Sequence, residues 1–139
     1  MADSRFKRGD VVWFNDDPPA AGTHVQHGRR PAVIVSTNHH NFSSTTVMIA
    51  VATGNLEKYL YPSQFFVRCG NDISRICCDQ IRVVDKHRLE LPHSHLGKEA
   101  EKQLNEALKY MFDLIDDATE TEFVNPSDVS AQILSERNR

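Results

Sequence analysis

Two adjacent arginines stand where a polar loop meets an apolar run, in the segment Gly28-Arg29-Arg30-Pro31. A residue that precedes proline is held in extended backbone, so Arg30 is expected at the mouth of the strand that follows. A guanidinium keeps its charge at any working pH, and its planar fork matches two phosphate oxygens. The segment therefore predicts a phosphate contact, with a solvated surface charge as the alternative.

Two further short segments carry groups that suit an anion or the edge of a base. Thr53, Gly54 and Asn55 follow the third apolar run, where a hydroxyl and unpaired backbone N–H groups can face an anion. Asp79 and Gln80 precede another apolar run and supply a carboxylate and an amide. Taken singly, such a threonine is commonly a turn residue and such an aspartate a local cap. Their role depends on whether the fold brings them to the arginines.

The loop before Gly28 contains two histidines, His24 and His27. Imidazole titrates near pH 6.5, so either ring is suited to accept or donate a proton near neutral pH. Both are candidate site residues, as a proton-transfer group or as a contact to a substrate.

The remaining histidines and the cysteines do not predict a metal site, and no cofactor is expected. Metal sites need three or four converging ligands. The pairs at positions 39–40 and 93/95 have no obvious partner pair, and Cys69, Cys77 and Cys78 lack the spacing of zinc ligands. An odd number of cysteines, two of them adjacent, indicates reduced thiols.

Short apolar runs with turn residues between them dominate the first two-thirds of the chain. Runs of this kind predict β-strands, and their density favours an antiparallel barrel or sandwich over a parallel α/β fold. Trp13, Phe14, Phe65 and Phe66 lie inside these runs, where core packing is favoured over stacking on a ligand. The predicted strands are residues 11–14, 32–35, 46–52, 64–68, 73–78 and 80–84, with 56–62 as a connection or a weak strand.

Beyond Leu96 the apolar period changes from that of strands to that of a helix. One apolar stripe runs through Ala100, Leu104, Ala107, Leu108, Met111 and Ile115. It predicts a helix of about 18 residues that covers an open end or face of the barrel. We divide the chain into a domain at 1–115 and an acidic polar tail at 116–139. In that tail, residues 125–128 either begin a short helix or belong to a mobile end.

Composition and charge narrow the class of protein. The chain has 139 residues, which suits one domain, and a formal net charge of −3. Residues 1–97 carry 11 basic and 9 acidic side chains, whereas residues 98–139 carry 5 and 10. This balance argues against long non-specific nucleic-acid binding but permits a small basic cleft. With no apolar run of membrane-spanning length and no secretory signal, we expect a cytoplasmic protein without membrane contact.

In order and spacing the candidate segments resemble the MazF/PemK family of toxin endoribonucleases. The resemblance covers about residues 6–115 and includes the C-terminal amphipathic helix. The matching segments are residues 7–13 (KRGDVVW), 17–18 (DP), 28–36 (GRRPAVIVS), 49–53 (IAVAT) and 78–89 (CDQIRVVDKHRL).

The resemblance implies a mainly β fold, a small SH3-like barrel with a C-terminal helix, usually as a homodimer. It implies a toxin that cuts single-stranded RNA at short sequences without a metal, leaving a 2′,3′-cyclic phosphate, and that a cognate antitoxin protein neutralises. The essential arginine of the family falls on Arg30 and its essential threonine or serine on Thr53. In the plasmid-borne branch a contributing aspartate falls on Asp79.

Some positions depart from the family pattern. The loop glutamate of the family is absent, and His24 or His27 lies nearest its place. The proline usually found two residues before the essential threonine is Val51, and the serine usually found after it is Gly54. The alternative function is therefore a non-cleaving toxin or binding module on the same barrel, either gyrase-targeting like CcdB or an inactive RNA binder.

Overall fold

Six strands form one curled antiparallel sheet in the computed structural model, which describes residues 5–15, 29–114 and 124–138. The strand order across the sheet is β4-β5-β3-β2-β1-β6. The strands are β1 (Asp10–Asn15), β2 (Arg29–Ile34), β3 (Thr46–Thr53), β4 (Gln64–Cys69), β5 (Asp72–Asp85) and β6 (Ser94–His95). The helices are α1 (Asn38–Ser43), α2 (Lys98–Phe112) and α3 (Pro126–Arg137), with a short 3-10 turn at Lys86–Arg88. The mainly β fold with a C-terminal helix that the sequence predicts is confirmed.

Two apolar clusters lie on opposite faces of the sheet because successive strand residues point to opposite sides. We call them the helix-side core and the second core. The helix-side core contains Val11, Val33, Ala50, Ala52, Phe65, Ile76, Cys78, Leu96, Leu104 and Ala107. The second core contains Phe6, Val12, Phe14, Ala32, Ile34, Val47, Ile49, Val51 and Val84. The centre of β3 is buried on both faces, as its continuous apolar run predicts.

Helix α2 packs on β4 and β5 and completes the helix-side core. Leu104 and Ala107 are its buried residues, and both belong to the predicted stripe. The helix has 15 residues rather than about 18, because Asp113 takes a left-handed backbone conformation with φ of 51° and ends it. Ile115, the last residue of the predicted stripe, lies outside the described residues.

The two strands predicted at 73–78 and 80–84 are a single strand, β5, of 14 residues. Its pairing with β3 shifts register: Ala50 pairs with Ile81, whereas Val51 pairs with Cys77. Residues 78–80 therefore bulge out of the ladder. The prediction of two strands was wrong because an irregularity of this kind looks like a chain break in the sequence.

Helix α1 lies in a polar stretch between the second and third strands, where the sequence has no apolar period. The hydroxyl of Thr37 caps its N-terminus by accepting from the backbone N–H of His40. Asn41 is buried, and its side chain hydrogen-bonds both the carbonyl oxygen and the hydroxyl of Ser36. Polar contacts rather than an apolar stripe hold this helix, so periodicity does not reveal it.

Of the two alternatives for residues 125–128, the structure has the helix, α3. The side chain of Asn125 accepts from the backbone N–H of Ser127, and Pro126 occupies the first turn. All α3 residues are exposed. The division of the chain at residue 115 stays a prediction. None of the helices in the described ranges is long and apolar enough to cross a membrane.

The four strand aromatics divide into two pairs. Phe14 and Phe65 are buried, as predicted. Trp13 is only half-buried, and Phe66 on the edge strand β4 is 43% exposed, so core packing was the wrong expectation for Phe66. An edge strand has a neighbour on one side only, which leaves its alternate side chains uncovered.

Candidate functional site

Thr53 is the last residue of β3, at the point where the chain leaves the sheet. It is buried, and its hydroxyl oxygen accepts from the backbone N–H of Asn55 at 3.3 Å. Gly54 and Asn55 follow it and are exposed. A buried hydroxyl therefore stands directly beneath an open turn.

The β5 bulge brings Asp79 and Gln80 to the same end of the sheet. Cys77 pairs with Val51, which is two residues before Thr53 on β3. Asp79 lies two residues after Cys77, within the bulge. The backbone N–H of Cys78 donates to the carbonyl of Ser63 at 2.9 Å, which holds the bulge against the start of β4. Bulges re-aim side chains in this way next to functional sites.

A polar cavity of about 190 Å³ joins these two segments. Four predicted site residues line it, namely Thr53, Asn55, Asp79 and Gln80. The remaining lining residues, which the sequence analysis does not single out, are Lys58, Tyr59, Tyr61, Gln64, Arg75 and Cys77. The fold thus brings Thr53 and Asn55 together with Asp79 and Gln80, which are 24 or more positions further along the chain.

Arg75 is the organising residue of this cavity, and it is only 3% exposed. Its Nε donates to the carbonyl of Asn55 at 3.0 Å, and its Nη2 donates to the carbonyl of Lys58. Its Nη1 donates to the carbonyl of Tyr59 at 3.0 Å and to Gln64 Oε1 at 2.8 Å. A buried guanidinium needs such partners, because an uncompensated buried charge is costly.

Gln64 links this cation to the carboxylate in the bulge. While its Oε1 accepts from Arg75, its Nε2 donates to both carboxylate oxygens of Asp79, at 3.2 and 3.3 Å. The orientation of Asp79 is therefore set through Gln64 by Arg75. One signal in the sequence points to Arg75, a charged residue directly before the apolar run Ile76-Cys77-Cys78. Its pairing with Thr53 on β3 is visible only in the structure.

Arg30 lies on β2, on the same sheet face as Thr53. Ala32 pairs with Val51, Val33 with Ala50 and Ile34 with Ile49, a constant register. The pairing ends at Ala32 and Val51, and continuing the same register would set Arg30 opposite Thr53. Arg30 is not among the described residues that line the cavity. Arg30, Ala32 and Ile34 alternate onto the face of the second core, which is also the face of Val51 and Thr53.

Arg29 belongs to the other face of β2 and has different partners. It forms an ion pair with Glu90 at 2.9 Å, and its guanidinium carbon lies 4.1 Å from the centre of the Trp13 ring. Both charged side chains are more than half exposed. The structure does not bring Arg29 to the Thr53 cavity, and its predicted contact with substrate stays a prediction.

His24 and His27 lie outside the described residues, so the geometry of neither ring is given. Their predicted roles stay predictions. Among the described residues, no group of three histidine, cysteine or acidic side chains is arranged to hold a metal ion.

Cys77 is the one thiol in the cavity, and it is poorly suited to act as a nucleophile. Burial, together with the negative charge of Asp79, raises its pKa to about 11. Burial also raises the pKa of Cys78 to about 12. Because the thiolate is the reactive form of cysteine, the neutral Cys77 thiol serves as part of the cavity wall.

A larger cavity of about 550 Å³ lies between the sheet and α2, on the helix side. It is lined by Trp13, Phe66, His93 and His95 among others, and by none of the predicted site residues. The polar cavity at Thr53 is therefore the candidate functional site, although it is the smaller of the two.

Comparisons with known proteins agree on one family. The family model described as "PemK-like, MazF-like toxin of type II toxin-antitoxin system" matches residues 7–112. The Bacillus subtilis protein named Endoribonuclease EndoA is 35% identical over 114 residues, which cover 79% of this chain and 97% of that protein. Endoribonuclease MazF of Staphylococcus saprophyticus is 33% identical over 107 residues, covering 74% and 88% of the two chains.

Solved structures show the same fold. MazF of Deinococcus radiodurans superposes with a TM-score of 0.67 at 22% identity, covering 81% of this chain and all of that one. A mycobacterial endoribonuclease in complex with its cognate antitoxin superposes with a TM-score of 0.65 at 19% identity, covering 81% and 99%.

Proposed function

The chain belongs to the PemK-like, MazF-like toxin family of type II toxin–antitoxin systems, and from that premise we propose that it is a sequence-specific endoribonuclease that cuts single-stranded RNA. One observation supports this most directly. Thr53 and Asp79, which the family resemblance and the residue chemistry both select, line one polar cavity with Gln80, which residue chemistry alone selects. Arg30 lies on the same sheet face as Thr53. Unpaired bases suit such a site, because their edges are free to be read.

The proposed reaction needs no metal, because the substrate supplies its own nucleophile. The 2′-oxygen next to the scissile phosphate forms a new bond to phosphorus while the bond from phosphorus to the 5′-oxygen breaks. The products are a 2′,3′-cyclic phosphate and a 5′-hydroxyl end. The 2′-hydroxyl gives its proton to a base, and the leaving 5′-oxygen receives a proton from an acid.

Arg30 is proposed to stabilise the charge that grows on the phosphate oxygens. Its fixed charge and forked donors suit this task, and loss of one such group typically costs about 10²–10³ in rate. Thr53 is a poor base near neutral pH, so it is assigned to orienting the phosphate. Gly54 and Asn55 extend the anion-binding turn.

Proton transfer is assigned to His24, and His27 and Asp79 are assigned to contacts with the substrate. An imidazole titrates in the right range for both steps. Asp79, held by Gln64, is suited to orient that imidazole or to accept from a base edge, and Gln80 to contact the base. These roles extend the chemistry of the residue types and of the family.

The proposed setting is a cytoplasmic homodimer that a cognate antitoxin neutralises. A mycobacterial relative of the same fold is known in complex with its own antitoxin. An extended acidic peptide suits this architecture, because it can pair with a free sheet edge and cover arginines.

The test is cleavage of long single-stranded RNA by the purified protein in excess chelator, with cut ends mapped by sequencing. We expect cuts within a short recurring sequence, 5′-hydroxyl ends, and a loss of about 10²–10³ in rate for Arg30→Ala. Arg137→Ala, on the exposed helix α3, is the matched arginine control and should cut as the unaltered protein does.

Intact RNA across many sequences would contradict the proposal. If, in addition, Arg30→Ala left growth arrest in cells unchanged, the non-cleaving binding module would be the better description. The family and the fold would stand in either case.

A further inference from the structure

Two tyrosines stand exposed at the rim of the Thr53 cavity. Tyr59 is 72% exposed and Tyr61 is 56% exposed, although both line the cavity. Their rings touch edge to face, with centroids 5.0 Å apart and planes at 80°. Large aromatic side chains usually bury most of their surface, so a pair left open beside a polar cavity needs an explanation.

The backbone that carries these rings is anchored from below. The Arg75 guanidinium binds the carbonyls of Lys58 and Tyr59. The backbone N–H of Gln64 donates to the carbonyl of Tyr61 at 2.9 Å. The segment has no regular secondary structure, yet a buried cation and the start of β4 fix its course. The rings are therefore placed in advance while their faces stay open, which lowers the entropy cost of binding.

The chemistry around the rings matches a nucleotide rather than an apolar partner. Thr53, Asp79 and Lys58 line the same cavity, and they bring a hydroxyl, a carboxylate and a lysine, the residue type whose ammonium can meet a phosphate. An aromatic ring offers its face to any base, and the polar neighbours offer partners for the sugar, the phosphate and the base edge. A protein contact of comparable size would be expected to have an apolar centre.

We propose that Tyr59 and Tyr61 form a stacking platform for an RNA base beside the scissile phosphate and so contribute to the choice of cleavage site. This inference rests on the proposed function, since it names how the same cavity holds its substrate. Arg75 acts here as a positioning residue, because it reaches the platform only through the backbone of residues 58 and 59.

Stacking on an aromatic side chain predicts a definite size of effect. Loss of one stacked base typically lowers affinity by about 5- to 150-fold. Tyr59→Leu and Tyr61→Leu should therefore lower kcat/KM on a short cleavable oligoribonucleotide within this range, mostly through KM. Tyr59→Phe and Tyr61→Phe keep the ring face and should stay within about 3-fold of the unaltered protein. Tyr110→Leu removes a comparably exposed tyrosine from α2 and is the matched control.

The decisive experiment combines these variants with substrates that lack one base. Oligoribonucleotides with an abasic ribose at each position around the cut are compared for the unaltered enzyme and for the leucine variants. At the stacked position, removal of the base should slow the unaltered enzyme but should cost the leucine variants little more, because the contact is already lost. The map of cut sites in long RNA should broaden for the leucine variants.

If removal of the base lowered the cleavage rate equally for the unaltered enzyme and for the leucine variants, the proposed platform would be contradicted. Leucine variants with unaltered cleavage but a weakened dimer in sedimentation equilibrium would also contradict it, since the tyrosines would then be a contact between copies. Tyr59→Trp gives a further check, because it keeps the stacking face and should retain kcat/KM. If the unaltered protein cuts no RNA, the proposed function itself fails; if it cuts and the variants match it, only the platform fails.

Discussion

Arg75 shows how one buried charge can organise a site without entering the chemistry. Four oxygen acceptors surround its guanidinium, three of them backbone carbonyls from the connection between β3 and β4. That connection carries no regular structure, so its shape depends on these bonds. Through Gln64 the same cation orients Asp79. The wall of the cavity and the carboxylate inside it therefore depend on a single side chain.

We expect Arg75→Lys to destabilise the protein by about 2–3 kcal/mol, because one ammonium cannot reproduce the geometry of the guanidinium fork and leaves buried acceptors unpaired. Urea unfolding measures this loss. Arg68→Lys, at an exposed position on the neighbouring strand β4, is the control and should shift stability by less than about 0.5 kcal/mol. Equal stability for the two variants would show that the Arg75 network contributes nothing.

The three thiols should react in a fixed order with iodoacetamide. Cys69 is exposed, whereas Cys77 and Cys78 are buried and burial raises their pKa values to about 11 and 12. Since only the thiolate attacks, we expect one label per chain on the folded protein at pH 8, located at Cys69 by mass spectrometry. Three labels should appear in denaturant. Prompt labelling of Cys77 in the folded protein would contradict its burial.

At the scale of elements, a histidine joins three parts of the chain that meet near the helix-side cavity. His95 on β6 contacts the Asp10 carboxylate on β1 through Nδ1 at 2.8 Å and Glu101 on α2 through Nε2 at 3.1 Å. When protonated, the ring donates to both carboxylates. Strand β6 has only two residues, so these side-chain contacts add substantially to the few backbone bonds that hold it.

The contacts of His95 make the docking of β6 and α2 dependent on pH. The hydrogen bond to Asp10, followed by that to Glu101, raises the pKa of His95 above its usual value near 6.5. A raised folded-state pKa gives stability that is fully present below about pH 6.5 and is lost as the pH rises through the folded-state value. We expect the unaltered protein to exceed His95→Gln in stability by up to about 1 kcal/mol at pH 5.5, since the ring is half exposed.

Chemical unfolding of both proteins from pH 5.5 to 9 measures this difference. The gap between them should narrow as the pH rises, and His93→Gln, which alters the neighbouring exposed histidine, should leave the pH dependence in place. If the stability difference between the unaltered protein and His95→Gln grew as the pH rose, protonated His95 would not be the stabilising form.

For the whole molecule, the sequence pattern predicts what depends on alternation and misses what depends on polar contacts. Strands β1, β3 and β4 follow from apolar runs, and their predictions are confirmed. Of the predicted α2 stripe, Leu104 and Ala107 are buried, whereas Met111 is 43% exposed. The bulge that merges the two predicted strands into β5, the cap that starts α1 and the buried Arg75 all depend on hydrogen bonds across distant residues. These bonds leave no period in the sequence.

The same division applies to the candidate site. Residue chemistry makes Thr53, Asp79 and Gln80 candidates, the family resemblance selects Thr53 and Asp79, and all three line one cavity. Tyr59 and Tyr61 lie in residues 56–62, where the sequence predicts a connection or a weak strand, and only the folded structure shows that they line the cavity. Arg29 and Arg30 are adjacent in sequence, yet alternation sends them to opposite faces of β2.

Charge distribution leads to a prediction for the whole chain. Residues 115–139 contain 2 basic and 6 acidic residues, a net charge of −4, so removing them changes the formal net charge from −3 to +1. Since α3 is exposed along its length, we expect a chain ending at Leu114 to keep its unfolding free energy within about 0.5 kcal/mol. Less repulsion of the polyanionic substrate should lower KM for RNA about 2- to 5-fold at low salt, and the difference should vanish near 0.5 M salt, where charges are screened.

The KM for RNA measured at low salt and near 0.5 M salt checks the predicted effect of charge. A urea unfolding curve checks that the shortened chain keeps its stability. A full-length chain with Asp116, Asp117, Glu120 and Glu122 replaced by Asn or Gln separates charge from length, because it should reproduce the lower KM without shortening the chain. If the shortened chain alone had a lower KM, and the difference persisted at high salt, the tail would act by occupying space near the cavity rather than through its charge.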